Sequence, residues 1–100
     1  MVKHIVMWTL KEEYSESEKK EIANTFKKKL EALDDLMEGV LKIKVEVNPL
    51  PSSNNDIMLD SEFDSVETLN AYQIHPKHQE VASYLKGKVV SRNCMDTIVE

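Results

Sequence analysis

The chain has 100 residues, 18 acidic against 13 basic side chains, and a formal net charge of −5. One hydrophobic core fits that length and two do not, and 41% hydrophobic with 31% charged residues, only two glycines and three prolines excludes a disordered or collagen-like chain. The acidic field disfavours nucleic acid, no apolar run approaches the ~20 residues of a membrane span, and one cysteine, Cys94, excludes a disulfide framework or an iron–sulfur ligand set.

No cleavable leader is visible at the N-terminus, so the expected setting is the reducing cytoplasm, with residues 1–100 as a single domain. In chain order, VKHIVMWTL (residues 2–10) is rich in β-branched and aromatic residues. Its alternation puts His4, Val6, Trp8 and Leu10 on one face and Ile5 and Met7 on the other, which predicts a strand needing cover on both sides. From Ser15 to Gly39, Ser15 and Glu18 stand at capping-box spacing, and Ile22, Phe26, Leu30, Leu33 and Met37 form one apolar stripe. That pattern predicts a single amphipathic helix ended by Gly39. The lysine run at residues 27–29 lies inside it and reads as a solvated face.

VLKIKVEVN (residues 40–48) alternates, with Leu41, Ile43, Val45 and Val47 facing a core. Residues 49–55 read as a loop. DIMLDSEF then predicts a second strand, with Ile57, Leu59 and Phe63 inward, paired antiparallel with the preceding one. Asp64 or Ser65 caps the next helix. Pro76 breaks it, because the residue before a proline avoids the helical region, and a further helix starts with Pro76 at its first position, His75 at its cap, and Val81, Ala82 and Leu85 inward to about Lys86. Gly87 closes it, and the tail supplies a last strand whose apolar members are Val89, Val90, Ile98 and Val99.

The order β-α-β-β-α-β is that of an α+β ferredoxin-like sandwich, a four-stranded antiparallel sheet with its helices on one face. The opposite face would carry Ile5, Met7 and Met58 among Thr9, Lys42, Lys44, Glu46, Asp60 and Glu62. Such a mixed surface predicts self-association of two sheets about a twofold axis, against the alternative of a monomer with exposed methionines.

Candidate chemistry concentrates in YQIHPKH, Tyr72–His78. His78 falls at the third position of the helix opened by Pro76, where the helix dipole favours a neutral ring that can act as a general base; the alternative is a buried histidine bonded to a backbone carbonyl. His4 could meet it across the core, or sit half in water at a strand end. His75 at the cap can serve structure or border a ligand. Tyr72 can offer its hydroxyl to a developing oxyanion or bury its ring alone. H-x-x-H at His75 and His78 is not expected to bind metal, since His75 sits in the break and no further ligand completes a tetrahedral set.

VKHIVMWTLK at the start, the long first helix, SEFDSVETLNAYQIHPKHQEV and the closing strand together resemble the stress-responsive dimeric α/β-barrel (Dabb) family over essentially the whole chain. The resemblance implies a ferredoxin-like protomer in a homodimeric barrel. One branch of that family comprises plant polyketide cyclases that use no cofactor, and His4, His78 and Tyr72 match pocket residues of that branch. A tyrosine of the branch's first helix falls at Phe26 here, and Trp8 stands where smaller residues would leave more room. The resulting expectation is a cofactor-free protein that binds or turns over an aromatic or keto-type metabolite. His78, His4 and Tyr72 would be catalytic, and Trp8, Phe26, Leu59, Phe63 and His75 would border the ligand. The alternative is a non-enzymatic homodimeric scaffold with a filled core.

Overall fold

Strand β1 (Val2–Leu10) occupies the interior of the sheet, hydrogen-bonded on one side to β3 (Ile57–Phe63) and on the other to β4 (Val89–Ile98). This is the placement that its two apolar sets require. The computed structural model describes residues 1–99. Strand β2 (Val40–Glu46) completes an all-antiparallel sheet of order β2-β3-β1-β4. Helices α1 (Glu16–Glu31), α2 (Val66–Ile74) and α3 (Pro76–Ser83) supply the second layer.

One core lies between the layers. Val2, Val6, Trp8 and Leu10 of β1, Ile57, Leu59 and Phe63 of β3, and Ile43 and Val45 of β2 meet Ile22, Phe26 and Leu30 of α1 and Leu69 and Tyr72 of α2, all buried. Each fully buried aliphatic or phenyl side chain contributes about 1.5–3 kcal/mol. Two polar residues share this face, His4 and Ser61, and the Ser61 hydroxyl donates to the His4 backbone carbonyl at 2.7 Å.

The outer face carries the anticipated mixture. Lys42 donates to Asp60 at 2.9 Å, and Lys3 lies 3.8 Å from both Asp60 and Glu62. Further along the same face Met7 and Met58 sit opposite each other in the β1–β3 register.

Helix α1 begins as its sequence dictates. Ser15 caps it in a reciprocal box with Glu18, whose carboxylate accepts from the Ser15 N–H at 2.8 Å and is thereby held below its usual range. The helix stops at Glu31, eight residues short of Gly39. The Glu31 carboxylate is used elsewhere, accepting from the Val45 N–H at 2.9 Å and from Lys27 at 2.8 Å. Asp34 and Asp35 follow, and acidic residues are unfavourable at the negative end of a helix. Leu33 is nonetheless buried and Met37 half-buried, packed on the core from turns. Gly39 has φ +98°, and a β-carbon there would stand 2.7 Å from an Asp64 carboxylate oxygen, so the position admits only glycine without strain.

Two further expectations change. Leu41 faces outward, 56% exposed, because the β2–β3 register shifts between Val40 and Lys42; the bulge brings Val40 opposite Phe63 in its place. Val90, Ile98 and Val99 are also exposed rather than apolar cover, and β4 is an edge strand paired only with β1.

Candidate active site

The break at Pro76 builds the first half of the site. His75 leaves helical geometry at φ −63°, ψ 135°, and its Nδ1 accepts from the Lys77 N–H at 3.1 Å. That N–H would otherwise have continued the helix to the Gln73 carbonyl, four residues back. The orphaned carbonyl is satisfied by His78, whose Nδ1 donates to it at 3.1 Å. A carbonyl only accepts, so Nδ1 carries the proton and Nε2 keeps its lone pair. Burial pushes the His78 ring below the ordinary imidazole range, neighbouring His4 and Arg92 push the same way, and the Gln73 carbonyl partly opposes them. The ring is therefore neutral at pH 7, with Nε2 as its base.

Strands β1 and β4 build the second half. His4 pairs with Asp96, Val6 with Cys94 and Trp8 with Arg92, so these three β4 side chains share the helix-facing side with His4. The Asp96 carboxylate accepts a hydrogen bond from His4 Nδ1, and His4 Nε2 lies 3.4 Å from the Gln73 side-chain amide, which donates to it. The Cys94 thiol sits 3.6 Å from Asp96. Burial, followed by the Asp96 charge, pushes that thiol up, so it remains protonated.

Between these halves lies a cavity of about 200 Å³. Its walls include His4, Trp8, Phe26, Leu59 and His78, together with Arg92 and Lys86. Trp8 stands edge-on to Phe26, ring centroids 5.0 Å apart, and occupies the space that a smaller residue would leave open. Ala82 also lines the cavity while otherwise exposed, not packed inward.

Three expected ligand contacts lie elsewhere. His75 is not on the cavity wall, because its ring is committed to the cap. Phe63 and Tyr72 stand behind the wall. Tyr72 stacks on Phe63 at 5.0 Å and on His78 at 4.6 Å, fully buried, with its hydroxyl bonded to nothing among the described residues. Burial holds that phenol far above its usual range, so it is a donor awaiting an acceptor.

Asp96, Arg92 and Gln73 are the site residues that sequence reasoning missed. The signal available was the polar alternation Arg92, Cys94, Asp96 in the last strand, which becomes interpretable once the β1–β4 register puts it opposite Trp8, Val6 and His4. The nearest approach to a metal-ligand set is also here rather than at His75 and His78. His4 Nδ1, Cys94 Sγ and an Asp96 oxygen lie within 4.8 Å of one another. To hold zinc they would have to surrender the His4–Asp96 hydrogen bond and the thiol proton.

The architecture and site define a ferredoxin-like α+β sandwich with a histidine-bearing cavity between sheet and helices. The chain belongs to the stress-responsive A/B barrel domain family, Dabb, whose family model matches residues 2–99. A dimeric protein of unknown function and ferredoxin-like fold from Bacteroides fragilis is 35% identical, with 98% of this chain and 95% of that one covered and a TM-score of 0.91. A dimeric ferredoxin-like protein of unknown function from Thermobifida fusca is 15% identical, covering 98% and 90%, with a TM-score of 0.83. The hydroxynitrile lyase of Passiflora edulis is 16% identical over 99% and 93% of the two chains, with a TM-score of 0.78. These last two likenesses are of fold alone. No curated protein sequence matches the chain. Among the described residues no helix is long and apolar enough to cross a membrane.

Proposed function

We propose that this protein is a cofactor-independent enzyme of cyclase-like or lyase-like chemistry, acting on a compact aromatic or keto-type molecule held beside His78. The observation that carries the reading is the cavity itself: a ring with a free Nε2 lone pair borders about 200 Å³ of space otherwise walled mainly by Trp8, Phe26, Leu59 and other apolar groups. A scaffold with a filled core needs no such space. The volume lies below the roughly 300 Å³ at which drug-sized pockets begin, so the ligand is small.

In this reading Nε2 takes a proton from a carbon beside a carbonyl or from a hydroxyl, and the ring becomes imidazolium. The Gln73 carbonyl, already bonded to Nδ1–H, stabilises that charge. The proton is returned to the product, so no other acceptor is consumed. His4, oriented by Asp96 and Gln73, forms a second polar wall. Tyr72 fixes the His78 ring from behind, and its hydroxyl reaches a developing oxyanion only if the stack opens.

The working form is taken to be a homodimer joined through the outer sheet face, where a recess of about 390 Å³ lies beside Met7 and Met58, remote from both imidazoles. Substituting Met7→Glu should yield monomers in light scattering; an unchanged dimer would move the interface elsewhere.

The catalytic reading is tested by α-proton exchange of small ketones and phenolic ketones in D2O, followed by NMR. Wild-type protein should accelerate exchange, His78→Gln should remove the acceleration, and Ala82→Trp, which obstructs the cavity from an exposed position, should do likewise. Exchange no faster than in buffer for every compound, with no thermal shift from any of them, would return the protein to the scaffold class.

A further inference from the structure

The basic side chains fall into several placements, and Lys11, Lys19, Lys20, Lys28 and Lys77 form no ion pair among the described residues and do not line the cavity. Lys3, Lys27, Lys42 and Lys44 sit in ion pairs, and Lys29 and Lys88 lie over the Tyr84 ring. Lys86, in the turn after α3, and Arg92, on β4, instead line the cavity. Among the described residues neither forms an ion pair. No carboxylate borders the cavity with them, in a chain whose acidic residues outnumber its basic ones by 18 to 13.

We infer that the ligand of this cavity is a carboxylate on a compact apolar body, its anionic group held by Arg92 with support from Lys86. The inference rests on the reading of the cavity as a ligand site. A neutral ligand would cover the guanidinium without replacing the water it loses, whereas a carboxylate accepts two parallel N–H bonds from its planar fork. The register adds direction. Arg92 is opposite Trp8, and His4 is four residues along the same face of β1, so a carboxylate at Arg92 leaves the body of the ligand over Trp8 and Val6, alongside His78. Asp96 does not compete for Arg92, since its carboxylate is turned to His4. Lys86 is a compact ammonium without the planar two-pronged donor geometry of Arg92, and contributes less.

The test uses benzoate, phenylacetate and 4-methyl-2-oxopentanoate, each beside its primary amide, with dissociation constants from ligand-observed NMR at fixed ionic strength. Each acid should bind about tenfold or more tightly than its amide, the span expected of charge-assisted hydrogen bonds. Arg92→Gln should bring the acids down to the level of the amides and leave the amides unchanged. Arg92→Lys should recover part of the difference, and Lys86→Gln should weaken the acids less than Arg92→Gln does. Both positions are exposed, so folding should survive, as circular dichroism would verify. Amides that bind as tightly as acids, or an Arg92→Gln variant that weakens both alike, overturn the carboxylate inference while leaving the cavity reading intact. Binding insensitive to Ala82→Trp places the ligand outside the cavity and overturns the site reading itself. Failure of all six compounds to bind at millimolar concentration overturns both.

Discussion

Replacing Tyr72 with phenylalanine should make this protein more stable. The Tyr72 ring is fully buried, 5.0 Å from Phe63 and 4.6 Å from His78, and Tyr72→Phe keeps every one of those apolar contacts. Only the hydroxyl is lost, and it has no partner among the described residues. A buried donor left unsatisfied costs about 1–3 kcal/mol, so its removal should return about 1 kcal/mol or more. For a domain of this size about 1 kcal/mol corresponds to a rise of roughly 4–8 °C in Tm. Thermal and urea unfolding at one fixed protein concentration measure it, the concentration being held because dimerisation would shift Tm by mass action. A loss of stability of about 1 kcal/mol would refute the reasoning, because it would mean that the hydroxyl has a bonded partner such as an internal water. The same variant separates two roles for the residue. If Tyr72 donates to the reacting oxygen, α-proton exchange falls as stability rises; if it only fixes the His78 ring, exchange is kept.

Because burial lowers the His78 pKa, the unfolded chain binds a proton below about pH 6.5 that the folded chain refuses. Stability should therefore fall as pH drops through that value and level off beneath the folded pKa. His78→Gln should remove this component of the slope in urea titrations from pH 5 to 7, and an identical slope would show that another group is responsible. At Gly39, alanine must adopt φ +98° with its β-carbon 2.7 Å from Asp64, so Gly39→Ala should cost about 2 kcal/mol or more in urea unfolding. A cost below ~0.5 kcal/mol would show that the turn relaxes freely. At Glu31, burial raises the carboxyl pKa, but the bonds to Lys27 and the Val45 N–H outweigh it and hold the group low. Glu31→Ala should then lose about 1–2 kcal/mol by orphaning the Val45 N–H, while Glu31→Gln, which still offers an acceptor, should lose less.

The local chemistry of YQIHPKH was readable residue by residue. Pro76 had to interrupt the helix, His75 had to cap what followed, and His78 had to fall one turn in, because these follow from backbone sterics and helix geometry alone. The purpose of the break was not readable. Its effect depends on the Gln73 carbonyl being released and then bonded by a ring five residues on, a detail fixed only when the two helical pieces take their angle. The first helix shows the opposite failure. Its apolar stripe continues unbroken to Met37, yet Glu31 is drawn to β2, and residues Leu33 and Met37 reach the core from turns that preserve the spacing without the helix. Periodicity reports which residues face inward, not the conformation that brings them there.

Composition and alternation by themselves determined the layer order and the central strand apolar on both sides, since each depends on local periods of two or 3.6 residues. Only the tertiary structure decided that β4 lies beside β1, setting Asp96 against His4 and Arg92 against Trp8. A polar edge strand carries no period strong enough to declare its register, so those partners are chosen by the sheet and not by the segment.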